Sequence, residues 1–359
     1  MCAFERPQYH VVPPLGHWMN DPNGPFYDST TGLYHLFYQY NPYGYVWGNM
    51  SWAHVCSQDL IHWKTLPVAL YPDEPYDELG VFSGSIVLPG KSKTPVLYYT
   101  CVDGENKQRQ CQADPHRETG GQNQYESWRK ASDNPIITHP PGENPNYDQF
   151  RDPAMYVEME GNEEIEQEIM IVAYQKDEET GAVAKYHLSK EEEGKGRHWV
   201  YSSDLWTTSD SSNQDIASES MVECPDFFAQ QNGIGKGSTY VLKYSLMNTR
   251  RDYYEMGAYV EGKFRPDGGN NKCRQIDYGV EFAYYASKTF WDDSSSQGRR
   301  LQWGWASETD DNIQGQRDWA GVMALPRVVT YDEEGGFLRF SMVPEVESLH
   351  ESILYSGEH

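Results

Sequence analysis

Apolar positions along the chain fall in short runs broken by Gly, Pro, Asn and Asp. Clear examples are LYHLFYQY (33–40), PVLYYTCV (95–102), EIMIVAYQ (168–175), TYVLKYSL (239–246) and FLRFSMV (337–343). Aromatic and β-branched residues fill these runs, and no segment beyond about ten residues keeps a clear helical period. The pattern predicts an all-β protein. Many short strands with turn signals between them leave two architectures, a sandwich or a propeller. A sandwich would have to be doubled at this length, whereas a propeller of about five blades, each about 70 residues, takes the chain as one domain. The polar piece DDSSSQGRR (292–300) reads as a long loop.

Composition narrows the function classes. With 38% hydrophobic residues in 359, the chain can bury a sizeable core. A formal net charge of -25 repels phosphate backbones and anionic membrane surfaces, so neither nucleic acid nor membrane is an expected partner, while neutral ligands are compatible. The acidic runs EMEGNEEIEQE (158–168) and KEEEGKG (190–196) read as solvated hairpin tips. The opening MCAFERPQYH lacks the apolar core of a secretory signal peptide, and no long apolar span appears. Six cysteines lie far apart, with no C-x-x-C pair and no clustered His, so neither a zinc site nor a cofactor is expected; the count neither demands nor excludes a disulfide. The single sequon, Asn49-Met50-Ser51, sits in an aromatic-rich run that reads as buried or functional, and glycosylation there is not expected.

Three carboxylates stand beside prolines. Asp21 precedes Pro22, which pushes it into extended backbone, and Asn23-Gly24 behind it reads as a tight turn. The same construction recurs as Arg151-Asp152-Pro153, and more loosely as Glu223-Cys224-Pro225. One such motif is ordinary loop punctuation. Three of them among aromatics and amides supply what glycosidic bond cleavage needs: a nucleophile, a general acid and a group to hold sugar hydroxyls. Trp18, Trp47 and Trp52 offer flat faces for a sugar ring, and Asn20, Gln39 and Asn49 offer amides.

WMNDPNG (18–24), RDP (151–153) and ECPDF (223–227) resemble, in order and spacing, the three signature boxes of glycoside hydrolase family 32, the β-fructofuranosidases that include invertases and fructan hydrolases. FSGS (82–85), DYYEMGAY (252–259), YYASKTFWD (284–292), WGWASETD (303–310) and WAGVMALPR (319–327) resemble further stretches of its plant members. The resemblance implies a five-bladed β-propeller over residues 1–345, with the site at the mouth of its funnel, followed by a tail over 346–359. The family's usual β-sandwich module has no room after it. It also implies a retaining hydrolase of terminal β-fructosides such as sucrose, with no cofactor, placed outside the cell or in the vacuole. Asp21 is then expected as nucleophile, Glu223 as acid/base and Asp152 as transition-state stabiliser beside Arg151. Asn20, Gln39, Trp47, Phe82 and Ser83 are expected to line the fructose pocket.

To work as an acid, Glu223 needs the more apolar or more negatively flanked surroundings, which two nearby aspartates would supply. Cys224 is expected to be a packed thiol. Val222 stands where plant relatives tend to have Trp, and Met247 stands where plant invertases have an Asp that helps to place the glucose half of sucrose. A thioether cannot accept the hydrogen bonds of a carboxylate. Fructan exohydrolase, fructosyltransferase and a non-catalytic carbohydrate-binding propeller are the alternatives, in that order; intact Trp18 and Asn23 argue against the transferase.

Overall fold

A computed structural model describes residues 6–89, 94–116, 125–159, 166–189, 197–211, 213–230, 239–267, 273–279, 283–307 and 318–350, and its apolar runs pair into five antiparallel sheets. Blade I is β1 (Trp18–Asp28), β2 (Leu33–Asn41), β3 (Ser51–Ser57) and β4 (Trp63–Leu70). Blade II is β5 (Gly80–Val87), β6 (Val96–Val102), β7 (Gln108–Pro115) and β8 (Trp128–Lys130). Blade III is β9 (Phe150–Met159), β10 (Glu166–Gln175), β11 (Gly181–Leu188) and β12 (Trp199–Thr207). Blade IV is β13 (Glu223–Ala229), β14 (Tyr240–Leu246), β15 (Arg251–Val260) and β16 (Lys263–Pro266), with β17 (Arg274–Gln275) against β15. Blade V is β18 (Tyr285–Asp292), β19 (Arg299–Ala306), β21 (Arg327–Asp332) and β22 (Phe337–Met342), with β20 (Val322–Met323) against β19. The fold is a five-bladed β-propeller. The first strands of the blades, β1, β5, β9, β13 and β18, touch one another in turn around a central channel.

The core lies between blades. Phe26, Phe37 and Trp52 of blade I pack on Leu97 and Tyr99 of blade II. Tyr98 meets Phe150 and Trp199; Tyr156 meets Phe227 and Tyr240; Phe228 and Tyr254 meet Val329 and Leu338. Met19, Leu36 and Tyr38 of blade I close the circle against Leu301 and Trp303 of blade V. Large aromatics suit these wedges because each fills a whole layer between two sheets.

Backbone bonds seal the last junction. Met19 N–H donates to Ala320 C=O at 2.9 Å and Ala320 N–H to His17 C=O at 3.1 Å. Gly321 lies beside this seam at φ +83°, and a Cβ there would fall 2.0 Å from the Met19 carbonyl oxygen. Only glycine fits. A disulfide, Cys101–Cys111, joins β6 to β7 inside blade II.

Several local expectations are corrected. Asn23-Gly24 makes no turn: β1 runs through it, because Asn23 is fully buried and its side chain is used inside the fold. DDSSSQGRR is a short hairpin link, closed by Asp292, which accepts from Ser294 N–H and from the Arg299 guanidinium. Asn49 is exposed although Met50 and Ser51 behind it are buried. The run 190–196, and residues 160–165 of the other acidic run, lie outside the described residues, as do 351–359 of the expected tail. Among the described residues no helix is long and apolar enough to cross a membrane.

Candidate active site

Each inner strand leaves the regular ladder at one shared level of the channel, and β1 does so a second time between Asn23 and Phe26. The register shifts fall between Met19 and Pro22 in β1, Phe82 and Gly84 in β5, Arg151 and Ala154 in β9, Glu223 and Asp226 in β13, and Tyr285 and Lys288 in β18. Five bulges thus sit at one level of the channel. Inner strands have no ladder partner on their channel side, so they tolerate Pro22, Pro153 and Pro225, which carry no N–H. A bulge bends its strand and re-aims a side chain. Three of them hold a non-glycine residue in left-handed backbone: Asp152 (φ 65°), Cys224 (φ 47°) and Ala286 (φ 53°). The extended conformation expected for Asp152 ahead of Pro153 is overturned for this reason. Its N–H is caught by Thr100 Oγ1 at 2.9 Å, and its Oδ2 accepts from Cys224 N–H at 2.8 Å.

The bulges surround a cavity of about 470 Å³ lined by Asp21, Asp152 and Glu223. Asn20, Gln39, Trp47, Phe82, Ser83 and Arg151 line the same cavity, and so does Trp18. Trp52 and Asn49 do not. Trp52 is fully buried between blades I and II, donating its Nε1–H to Phe82 C=O, and serves as core. Trp47 is the exposed platform, 58% accessible at the rim and edge-on to Phe82.

Asp21 is held by its neighbours. Ser83 Oγ–H donates to Oδ2 at 2.6 Å, Asn20 Nδ2–H donates to Oδ1 at 3.1 Å, and Trp18 Nε1–H fixes Asn20 Oδ1 at 2.8 Å. Burial, then Asp152 and Glu223, push the Asp21 carboxyl up to about 6 against these hydrogen bonds. Burial and Glu223 also raise Asp152, opposed by Arg151, Lys288 and the Cys224 N–H. Cys224 is a buried thiol packed with Trp18, Met50 and Tyr285, its Sγ 3.6 Å from Asp21 Oδ2, and burial raises its pKa well above the usual thiol range.

Glu223 has different company. Arg151 donates from Nε to Glu223 Oε1 at 3.1 Å, with a second guanidinium nitrogen at 3.1 Å, and Tyr285 O–H donates to Oε2. Glu223 thus has a cation and a hydroxyl on its carboxylate as well as the two aspartates that share the cavity. Arg151 stands beside Asp152 in sequence but reaches across to β13, supported by Gln149 Oε1 at 2.9 Å and Gln108 Oε1 at 3.2 Å.

Sequence reasoning missed Tyr285, Trp305 and Gln108, which line the cavity from blades V and II. Tyr285 lies within YYASKTFWD, but nothing local marks its hydroxyl as a partner of Glu223. Met247 and Arg250, in the β14–β15 turn, complete the rim. Gln39 brings a buried amide whose Nε2 has no partner among the described residues, a donor suited to a ligand hydroxyl. No group of three or more His, Cys, Asp or Glu able to hold a metal is found among the described residues.

Three carboxylates gathered in one five-bladed channel are the kind of arrangement that glycosidic bond cleavage uses. Residues 10–341 match the glycosyl hydrolases family 32 N-terminal domain, and the chain belongs to that family. It is 38% identical over 381 residues to an insoluble β-fructofuranosidase isoenzyme of Arabidopsis thaliana, covering 97% of this chain and 57% of that protein. Against a vacuolar acid β-fructofuranosidase of a Rosa hybrid cultivar it is 36% identical, covering 97% of this chain and 52% of the relative. The crystal structure of fructan 1-exohydrolase IIa from Cichorium intybus superposes with a TM-score of 0.82 at 30% identity, over 98% of this chain and 63% of that one. The chain spans somewhat over half the length of the curated relatives it matches.

Proposed function

We propose that this chain is a retaining β-fructofuranosidase acting on terminal non-reducing β-D-fructosyl bonds, of which sucrose is the simplest. The observation that carries the reading is the convergence of Asp21, Asp152 and Glu223 from three inner strands on one cavity that also holds Asn20, Gln39 and Ser83. Asp21 is assigned as the nucleophile. Ser83 and Asn20 orient its carboxylate towards the anomeric carbon, and the acidic neighbours that raise its pKa also make it more basic once ionised. Glu223 is assigned as acid/base: it protonates the leaving oxygen, then takes a proton from the water that releases fructose. Tyr285 and Arg151 fix its orientation. Asp152, locked by the Cys224 N–H, is assigned to hold fructose hydroxyls and to face positive charge developing on the ring.

The substrate side of the reading is a neutral fructoside, small or polymeric, with Trp47 and Phe82 as the apolar walls; nucleic acid and membrane have no part in it. We assign residues 1–345 to the propeller and 346–359 to a tail. A place outside the cell or in the vacuole accords with the Cys101–Cys111 disulfide, which persists in oxidising compartments, and with relatives described as insoluble and vacuolar. A fructan exohydrolase is the second reading, favoured by Met247 at the rim where a carboxylate would grip glucose.

Sugar release from sucrose, levan and inulin by the purified chain, in parallel with Asp21→Ala, tests the assignment. Fructose release abolished in the variant supports it, and release of fructose from the polymers alone selects the exohydrolase. An unchanged Asp21→Ala rate ends the nucleophile role. For Glu223→Gln, azide should restore part of the lost turnover as fructosyl azide; failure of rescue removes Glu223 from the acid/base role.

A further inference from the structure

The three left-handed bulge residues form a series. Asp152 of blade III is caught by Thr100 of blade II, and Cys224 of blade IV by Asp152 of blade III. Ala286 of blade V is caught in turn by a blade IV side chain, Asp252 of β15, whose Oδ1 accepts the Ala286 N–H at 3.1 Å. Asp252 Oδ2 also accepts the next N–H, of Ser287, at 2.7 Å. Two successive N–H groups on one carboxylate fix the backbone that carries Tyr285.

The same device reaches Glu223. Lys243 Nζ lies 3.1 Å from Asp252 Oδ2 and donates to Cys224 C=O at 3.2 Å and Ser287 C=O at 2.7 Å. Ser245 bridges the pair, donating to Asp252 Oδ1 at 2.6 Å and accepting from Lys243 at 2.9 Å. All three side chains are buried. One ion pair thus holds the residue after Glu223 and the residues after Tyr285, both bulges being strained. A buried ion pair is often no more stabilising than apolar side chains of equal volume, so stability alone gives little reason for it. Left-handed non-glycine residues persist only where their surroundings over-determine them. That is what this pair does.

We propose that Asp252, acting with Lys243, is a positioning residue that sets the Cys224 and Ala286 bulges and so aims Glu223 and Tyr285 into the cavity. The proposal rests on the fructosidase reading for its consequence, and its test separates the two. Misaiming the acid slows substrates whose leaving group needs a proton and spares β-D-fructosyl fluoride, whose leaving group does not. In Asp252→Asn, kcat/KM for the better natural substrate should fall about 100-fold while that for the fluoride falls by roughly threefold or less. Ser245→Ala, which removes one hydroxyl and keeps the ion pair, should show the same selectivity at about tenfold and decides the matter if Asp252→Asn does not fold. Equal losses on both substrates, or none, overturn the proposal.

If the wild-type chain releases fructose from no substrate, the fructosidase reading fails, and alkylation decides the positioning claim by itself. Cys224 and Cys56 are both buried free thiols. With iodoacetamide and peptide mapping, loss of the clamp should speed Cys224 labelling about tenfold in the variants and leave Cys56 unchanged. An unaltered Cys224 rate overturns the claim.

Discussion

The same five inner strands line two cavities, one above the other on the channel axis. The upper, of about 470 Å³, is met by the strands at Asp21, Ser83, Asp152, Glu223 and Tyr285. The lower, of about 460 Å³, is met a few residues further along each strand, at Phe26, Ile86, Tyr156, Phe228 and Trp291. Size does not distinguish them. The bulges lie at the upper level, and there side chains are pulled out of the regular in-and-out alternation to bring carboxylates and amides together. Below it β13 and β18 resume their ladders, β1 makes a second bulge between Asn23 and Phe26, and the strands present mainly aromatic and aliphatic groups, with the Arg300 guanidinium stacked 4.0 Å over Phe228. The difference teaches that this channel is made chemical by local backbone irregularity, and that the regular part supplies the frame.

The sharpest way to break this comparison is to truncate one residue at each level. If Glu223 is the acid/base, as proposed, Glu223→Gln should lower kcat about 10³-fold and leave the unfolding midpoint nearly unchanged, because a general acid contributes to the transition state and little to packing. Phe228→Ala should do the reverse. Its ring is buried between blades IV and V, and its loss should cost about 3–5 kcal/mol in urea unfolding with kcat unaltered while the protein stays folded. If Phe228→Ala instead lowers kcat as steeply as it lowers stability, the two levels are not separable.

Much of the upper level was legible in the sequence because its chemistry is local. Asp21, Asp152 and Glu223 each sit in a short box with proline, and proline marks a strand that leaves its ladder. What was not legible came from long-range packing. Tyr285 reaches Glu223 from 62 positions away. Arg151 chose Glu223 over its neighbour Asp152 because the β9 bulge turns Asp152 towards the Cys224 N–H. Asn23-Gly24, a hairpin signal by composition, became strand because Asn23 Oδ1 accepts the Gly84 N–H at 3.2 Å across the blade I and II junction. A Cβ at Gly84 would lie 2.0 Å from the Tyr98 carbonyl oxygen of the neighbouring strand β6, so the β5 bulge inside blade II also needs the glycine of FSGS. The strand pattern, by contrast, needs only nearest neighbours, and LYHLFYQY and TYVLKYSL read correctly as β2 and β14.

Titration sharpens the comparison further. The Asp21 carboxyl moves from the usual 3.8 to about 6 in the folded protein, so the native state binds its proton more tightly than the unfolded chain. Its contribution to stability is complete below pH 3.8, is lost as pH rises towards 6, and stays lost above that. Asp21→Asn should therefore stabilise the protein by up to about 3 kcal/mol at pH 7 and by almost nothing near pH 4. The same shift places the acidic limb of kcat/KM near pH 6, falling below it because a nucleophile must be ionised. A limb near 4, or a variant stabilised equally at both pH values, would refute this account of Asp21. No such pH dependence is expected from Phe228→Ala.

Met247 is the place where the upper level resembles the lower one. It sits at the rim in the β14–β15 turn, 37% exposed, beside Arg250. A thioether there offers an apolar wall to whatever the fructosyl unit is bonded to, whereas a carboxylate would accept hydrogen bonds from the hydroxyls of a small leaving sugar. The turn is four residues long, 247–250, closed by the Arg250 N–H donating to Leu246 C=O at 2.9 Å, so a side chain can be exchanged without disturbing β14. Met247→Asp should raise the ratio of kcat/KM for sucrose over inulin about tenfold, worth about 1.4 kcal/mol, with the change carried by sucrose. On the proposed reading Met247 faces the leaving group and not the reacting carbon, so the acidic limb near pH 6 should not move. A ratio that stays put would mean that Trp47 and Phe82, not the turn, choose the leaving sugar, and their replacement by Ala would then be the place to look for the selectivity.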